Sequence, residues 1–244
     1  MKIMGFVPAR SGSKGIPKKN IYPLNDKPLI AYTIEEALKS RINRLIVSTD
    51  SLEIAEEAKR YGAEVPLMRP LELAQDNSII EDALIDVIEK LIKSEKYKPD
   101  VIVILQPTSP LRTYRHINES IEILFEKQAD SVVSASQPME HPSDMVYWEG
   151  KGKMCFLLDT NDRYKKIQRQ MYPEYLFING AIYVFTYKSL MLNKSKFGKK
   201  IVPYIMNSVY SVDIDSIDDL FIAESVMLRK GCIDECLKRY QQNP

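Results

Sequence analysis

Residues 7–20, VPARSGSKGIPKKN, set two glycines (Gly12, Gly15) and two small hydroxyls (Ser11, Ser13) among four cations, Arg10, Lys14, Lys18 and Lys19. Glycine lets a backbone approach a ligand closely and turn its N–H groups toward it. Interleaved cations neutralise a polyanion. The run directly follows residues 3–7, an apolar segment that reads as a first strand. A loop of this composition in this position is suited to hold a nucleoside triphosphate. Neither GxxxxGK[ST] nor GxGxxG is present, so the loop is neither a Walker nor a dinucleotide fingerprint. An ordinary basic surface turn would share the composition.

A second constellation is SVDIDS, residues 211–216. On a strand, residues i and i+2 face one side, so Asp213 and Asp215 would present two carboxylates together at a strand end, just before a helix. Two close carboxylates repel unless a cation neutralises them, and a magnesium ion suits hard oxygen ligands. The alternative is that Asp215 caps the helix and Asp213 is a solvated strand-end residue. Asp218 and Asp219 read as first-turn acids that complement the helix dipole.

Three further stretches carry polar groups that fit the wall of a ligand cleft. LQPTSPLR, residues 105–112, holds Gln106, Thr108, Ser109 and Arg112 between two stiffening prolines; a rigid turn with Thr108 or Ser109 as helix cap fits equally well. INGAIYV, residues 178–184, places Asn179 before a strand, either as a turn or with its amide on a sugar hydroxyl. Arg69, in Met68-Arg-Pro, is followed by Asp76 and Ser78 and is a candidate nucleotide contact. The two histidines, His116 and His141, lack a partner at triad or metal spacing.

The elements that must position these residues alternate. Residues 29–38, 52–61, 79–94 and 117–128 have helical spacing, while residues 45–48, 64–68, 101–105 and 131–135 read as strands. The run VIVIL at 101–105 is continuous and β-branched, as in a strand buried on both faces. This βαβ rhythm predicts an α/β fold with a mostly parallel sheet covered by helices. The rhythm breaks over residues 138–177, which read as an irregular insertion, lid or oligomer arm containing Tyr147 and Trp148. Strand-like stretches return at 181–185, 201–206 and 210–214, and helices at 217–229 and 232–240 close the chain.

Bulk properties narrow the function. The 244 residues suit one domain with an insertion. Lys and Arg total 34 against 33 Asp and Glu, a net charge of +1, so no global basic field attracts nucleic acid. The positive charge is local, in the N-terminal loop and at residues 165–169, which fits a small anionic ligand. Cys155, Cys232 and Cys236 make neither a disulfide framework nor a zinc set, and read as idle or buried thiols. No apolar run approaches membrane-span length, and no signal peptide is readable, so a soluble cytoplasmic protein is expected.

Taken in order, ARSGSKGIPKKN, IVSTD, RPLELAQD, LQPTSPLR, DSVVSA, NGAIYV and SVDIDSIDDL resemble the acylneuraminate cytidylyltransferase family, the CMP-sialic acid synthetases. The resemblance covers nearly the whole chain. It implies a Rossmann-like nucleotidyltransferase fold in which CTP and a nine-carbon 2-keto-3-deoxy sugar acid give a CMP-sugar and pyrophosphate. By motif, Ala9, Arg10, Ser13, Lys14, Lys19 and Asn20 resemble the CTP-binding loop, with Arg69 and Ser78 as further nucleotide contacts. Asp213 and Asp215 match a magnesium-binding pair, and Arg10 and Lys19 join them as catalytic residues. Gln106, Arg169, Asn179, Tyr183 and Phe197 match positions lining the sugar-acid pocket. Residues 138–177 resemble a dimerisation element that reaches into the partner's active site, so Arg169 would act across a homodimer interface.

The chain departs from the family's sialic acid members at Lys196, where a second aromatic precedes the one at Phe197, and at Phe177, where an arginine stands. It also lacks a basic residue after Met-Glu-His in MEHPSDM. These departures fall on the sugar pocket, which makes legionaminate or pseudaminate a candidate acceptor beside N-acetylneuraminate. The nearer alternative is a nucleotidyltransferase of the same fold with another sugar or nucleotide, such as 3-deoxy-octulosonate. The more distant one is a non-catalytic nucleotide-binding regulator.

Overall fold

The continuous apolar runs form the interior strands of a six-stranded sheet. The structure is a computed structural model, and it describes residues 1–158, 174–229 and 231–233. In chain order the strands are β1 (Ile3–Pro8), β2 (Pro23–Leu24), β3 (Lys27–Pro28), β4 (Arg44–Ser48), β5 (Val101–Leu105), β6 (Ser131–Ser136), β7 (Val146–Gly150), β8 (Lys153–Phe156), β9 (Phe177–Thr186) and β10 (Ile201–Ile205). The helices are α1 (Leu29–Leu38), α2 (Leu52–Arg60), α3 (Ile80–Glu95), α4 (Tyr114–Glu126), α5 (Tyr187–Asn193) and α6 (Ile217–Leu228). The main sheet has the order β10-β6-β9-β5-β1-β4. Every pairing is parallel except the two made by β9, which enters antiparallel between β5 and β6.

Period-two alternation sends successive side chains of each strand to opposite layers. Ile3, Val7, Val101, Val103 and Leu105 pack against Ile30 and Ile34 of α1, Ile54 of α2 and Ile117 and Ile121 of α4. Met4, Phe6, Ile102 and Ile104 face Leu84, Ile88 and Leu91 of α3 and Leu190 of α5. Each such side chain fully buried stabilises the fold by about 1.5–3 kcal/mol. A smaller third cluster joins Ile16 and Leu24, from the segment after β1, to Leu29, Ile214, Leu220 and Ala223. Ile16 and Ile214 are both fully buried. That cluster fastens the basic loop to the acidic segment before α6, although nearly two hundred residues separate them in sequence.

The helix ends follow side-chain capping. Ser51 caps α2 and Thr186 caps α5, each side chain accepting from a first-turn N–H. Thr113 with His116 closes a capping box on α4, and Ser216 with Asp219 closes one on α6. The caps expected at Thr108 or Ser109 and at Asp215 therefore fall on Thr113 and Ser216 instead.

Three local expectations are corrected. Residues 64–68 do not form a strand: only Glu64 bridges to Ile46, because Pro66 has no N–H to extend the ladder. Residues 210–214 are not a strand either. A short 3-10 turn, Ser208–Tyr210, precedes irregular backbone whose Ile214 N–H donates to the Thr108 carbonyl at 2.8 Å. The Asn179-Gly180 pair lies inside β9 rather than before it. There Gly180 takes φ +74° as the β6–β9 register shifts between Val133 and Ala135. The segment expected to be irregular contains the β7–β8 hairpin, while residues 159–173 lie outside the described residues.

Candidate active site

The order β4-β1-β5 places a topological switch between β1 and β5, since α1 leads from β1 to one side and β5 lies on the other. A cavity of about 430 Å³ opens beyond the carboxyl ends of those two strands. Arg10, Gly12, Ser13, Lys14, Lys19 and Asn20 line it from the first loop, Arg69 and Ser78 from the stretch before α3, and Gln106 and Thr108 from the loop after β5. Asp215 closes the far wall. Residues drawn from four separated stretches of sequence thus converge on one space.

The loop's framework is fixed by backbone and side-chain hydrogen bonds, and three of its four cations, Arg10, Lys14 and Lys19, line the cavity. The Ala9 N–H donates to the Ser48 carbonyl at 2.9 Å, and the buried Asn20 amide donates to the Arg10 carbonyl at 2.8 Å. Asp50 accepts from both the N–H and the hydroxyl of Ser11, at 2.8 and 2.6 Å. Lys18, in the left-handed region at φ 54°, turns away to pair with Glu53. Arg10 and Lys14 meet on Asp76, at 2.9 and 2.6 Å, so a carboxylate stands between the two cations. The Lys14 hydrogen bond, then that of Arg10, holds the Asp76 carboxyl below its usual range.

Arg69 is buried and serves as a strut. Its guanidinium donates to the Ser48 hydroxyl at 3.0 Å and the Ser48 carbonyl at 2.8 Å. Burial lowers its pKa to about 10, opposed by the Asp50 charge and assisted by Arg10. Ser78 lines the cavity with its hydroxyl donated to the Glu72 carbonyl.

The acidic wall differs from the expected strand-borne pair. Lys19 reaches across to it, donating to the Ile214 carbonyl and pairing with the Asp215 carboxylate, both at 2.8 Å. Gly15 makes this approach possible: a Cβ there would lie 2.2 Å from the Asp215 carbonyl oxygen. Asp213 is exposed and stands outside the cavity lining, yet the protein beside its carboxyl partly desolvates it and raises its pKa. A hydrogen bond from Thr108 opposes that shift, and the Asp215 charge adds to it. Asp219 takes no part in the cavity and accepts instead from the N–H groups of Asp215 and Ser216. Among the described residues no cluster of three or more His, Cys, Asp or Glu could hold a metal by itself. A divalent ion held by Asp213 and Asp215 would need ligand oxygens to complete its coordination. The donor set is nonetheless suitable, being hard carboxylate oxygens of which one is disfavoured as a bare anion.

The expected sugar-side residues separate. Gln106 lines the cavity. Tyr183 is buried, its phenol pushed up by burial and then by the charges of Asp213 and Glu81. Phe197 meets Tyr183 edge-on with ring centroids 6.1 Å apart. Asn179 is corrected: it is buried, its Oδ1 accepts from the Ser134 hydroxyl and the Ala181 N–H, and its Nδ2 is directed to the Ser211 hydroxyl and the Met206 sulfur. Both ends of that amide are used in tying β9 to β6 and to the 207–211 turn, and none is left for a ligand. Arg169 lies outside the described residues.

Two roles escaped the sequence reading, although it named Arg112 as a candidate cleft residue and Lys196 as a departure in the sugar pocket. Arg112 is wholly buried and donates to the carbonyls of Gln106 and Ala181 and to the Thr33 hydroxyl, at 3.1, 2.9 and 2.6 Å. Burial lowers its pKa to about 9 against the pull of Glu36, and it fixes the loop that presents Gln106. The second is the ion pair of Glu81 and Lys196, whose signal was a carboxylate on the same helical stripe as Leu84, Ile88 and Leu91. Of the thiols, Cys155 is half-buried and Cys232 exposed, both free, and Cys236 lies outside the described residues.

The cytidylyltransferase family model matches residues 4–166 of this chain. The chain belongs to the cytidylyltransferase family. As a cytidylyltransferase it is 37% identical over 229 residues to CMP-N,N'-diacetyllegionaminic acid synthase of Legionella pneumophila, covering 93% of this chain and 97% of that protein. It is 34% identical over 231 residues to N-acylneuraminate cytidylyltransferase of Escherichia coli, covering 94% of this chain and 53% of that protein. The chain thus spans about half the length of the latter relative. Among solved structures, CMP:2-keto-3-deoxy-manno-octonic acid synthetase complexed with CTP superposes with a TM-score of 0.69 at 16% identity, over 94% of this chain and 100% of that one. That likeness is one of fold, and it agrees with the mostly parallel α/β sheet.

Proposed function

We propose that this cytidylyltransferase joins CTP to a nine-carbon 2-keto-3-deoxy sugar acid of the sialic, legionaminic or pseudaminic type, giving the CMP-sugar and pyrophosphate. The observation that carries the reading is the convergence of Arg10, Lys14 and Lys19 on one cavity whose opposite wall is acidic, in a chain whose similar relatives are named for such products. The anomeric hydroxyl of the acid attacks the α-phosphorus of CTP and the bond to pyrophosphate breaks. Such transfers depend on positioning and charge neutralisation. Arg10 and Lys14 exchange Asp76 for phosphate oxygens, and Lys19 holds the triphosphate against the acidic wall. Asp213 and Asp215 would hold a magnesium ion, which supplies charge neutralisation at the α-phosphate when bound. Gln106, which lines the same cavity, contacts the sugar acid.

A homodimer completes this reading. Tyr147, Trp148, Met154 and Phe156 are exposed on the β7–β8 hairpin, which forms a sheet of its own, and apolar exposure on that scale favours a protein partner. No described helix is long and apolar enough to cross a membrane; the cytoplasm, where CTP is abundant, is the proposed location. The test is pyrophosphate release with CTP, magnesium and a panel of N-acetylneuraminate, N,N'-diacetyllegionaminate, pseudaminate and 3-deoxy-octulosonate. Release with one nonulosonate is expected. Release with the octulosonate alone, or with none from protein that binds CTP, sinks the acceptor assignment.

A further inference from the structure

β4 runs parallel to β1 with Ser48 opposite Pro8. The chain beyond β4 therefore travels beside the start of the basic loop. Three consecutive residues there each hold a different part of the site. The Ser48 carbonyl accepts from the Ala9 N–H, and Ser48 also takes the Arg69 guanidinium. The Thr49 carbonyl accepts from the Arg69 N–H at 2.7 Å. Asp50 takes Ser11, with Oδ1 accepting from the N–H and Oδ2 from the hydroxyl. Ser51 then caps α2, which fixes the backbone that carries Asp50.

Ser11 interrupts the cavity lining. Arg10, Gly12, Ser13, Lys14 and Gly15 line it, whereas Ser11 and Asp50 do not. Among the described residues, none of the N–H groups of Gly12, Ser13, Lys14 and Gly15 donates a hydrogen bond within the chain. Four successive donors are left to a ligand, and such a run suits an anion. Their backbone is held at its two ends. Gly15 abuts the Asp215 carbonyl, and Ser11 is tied by the Asp50 fork. Packing does not hold the middle, since a Cβ at Gly12 would meet nothing within 4 Å. A carboxylate near an anion site repels the ligand. Asp50 therefore contributes to binding through its fork or through the Arg69 cation, which its charge supports.

Resting on the reading of this loop as the triphosphate cradle, we infer that Asp50 is a positioning residue for CTP, acting through Ser11. Its fork fixes the entry of the loop as the Asp215 backbone fixes the exit. The free donors between them are ordered before the nucleotide arrives. Without the fork, ordering the loop becomes a cost that CTP binding has to meet. Asparagine keeps the fork, because its Oδ1 accepts from the Ser11 N–H and its Nδ2 donates to the Ser11 hydroxyl. Alanine removes both arms.

The experiment titrates CTP with magnesium into the wild-type protein and into Asp50→Ala, Asp50→Asn and Ser11→Ala, each below its Tm. Asp50→Ala is expected to weaken CTP binding about 10-fold or more, from the loss of two hydrogen bonds to a charged group. Asp50→Asn is expected to return the Kd to within about threefold of wild type. Ser11→Ala, which keeps the N–H arm, is expected to fall between the two. The KM for the sugar acid at saturating CTP is expected to hold its wild-type value in all three, since the loop holds the nucleotide. A wild-type Kd in Asp50→Ala overturns the assignment; where that variant does not fold, a wild-type Kd in Ser11→Ala overturns it instead. A loss in Asp50→Asn equal to that in Asp50→Ala also overturns it, because Asp50 would then act by its charge on Arg69. So does a rise in the acid's KM that matches the loss for CTP, which marks general disorder of the site. The titration needs no acceptor. Silence with every sugar acid strikes the acceptor assignment alone, whereas wild-type protein that binds no CTP strikes the functional reading and this assignment with it.

Discussion

Gly15→Ala tests whether the basic loop and the acidic wall must be held in contact. The new Cβ would sit 2.2 Å from the Asp215 carbonyl oxygen, which is backbone and has no flexible end to swing aside. Reaching ordinary contact needs a separation of roughly 1 Å between the two segments. Ile16 and Ile214 anchor them in one apolar cluster, so the displacement is resisted on both sides and falls on the Lys19 contacts to Ile214 and Asp215. Overpacking of this kind costs about 1–3 kcal/mol of stability. A 1 Å misplacement of a positioning group costs about 100-fold in rate, or about 2.7 kcal/mol in the transition state. The variant should therefore fold with a lowered Tm and lose about two orders of magnitude in kcat/KM for pyrophosphate release. Gly12→Ala is the control, since a Cβ there meets nothing within 4 Å; its Tm should match wild type. Wild-type kcat/KM in Gly15→Ala would refute the claim that this contact sets the site's geometry.

Three other perturbations have definite expected outcomes. Asp213 is exposed, and partial desolvation of its carboxyl raises its pKa, so its ionisation destabilises the folded state only slightly, as pH rises through and above the ordinary carboxylate range. Asp213→Asn should accordingly fold with a Tm at pH 7 no lower than wild type while abolishing turnover; thermal melts and a turnover assay check both halves. Asp76→Asn removes the carboxylate that competes with phosphate for Arg10 and Lys14, and titration should show tighter CTP binding; weaker binding would make Asp76 part of the ligand site instead. Arg112→Lys cannot serve Gln106, Ala181 and Thr33 at once. A loss of about 3 kcal/mol or more in denaturant unfolding is expected.

The strands and helices of the sheet were legible because burial on both faces imposes its own sequence pattern. VIVIL could only be an interior strand, and residues 29–38 carry their helical stripe without ambiguity. The basic loop was legible as a local run of glycines, small hydroxyls and cations after a first strand, and the structure sets that run along the cavity. One of its glycines has a further role in packing. Gly15 is required by the Asp215 backbone, a constraint that no reading of the loop by itself contained. Asn179 looked like a ligand contact because exposed amides in loops often are, but β9 runs through its position and buries it. Arg112 looked like one polar residue in a proline-rich turn, whereas only the packing of α1, β5 and β9 around it shows a strut. The strand assigned to residues 210–214 failed because alternation of apolar and acidic residues is also produced by a segment pinned at Ile214 alone.

What the sequence determined by itself was local: where strands and helices lie, which loop carries the positive charge, and that a pair of acids precedes the last described long helix. These follow from periodicity and residue chemistry over short spans. Tertiary structure decided which of these meet. Lys19 reaches Asp215 and Lys196 reaches Glu81 across 196 and 115 residues of chain. The sheet order and the Ile16–Ile214 cluster set those meetings, and no spacing along the chain encodes them. Charge placement is read from neighbours in sequence, but charge pairing is a property of neighbours in space.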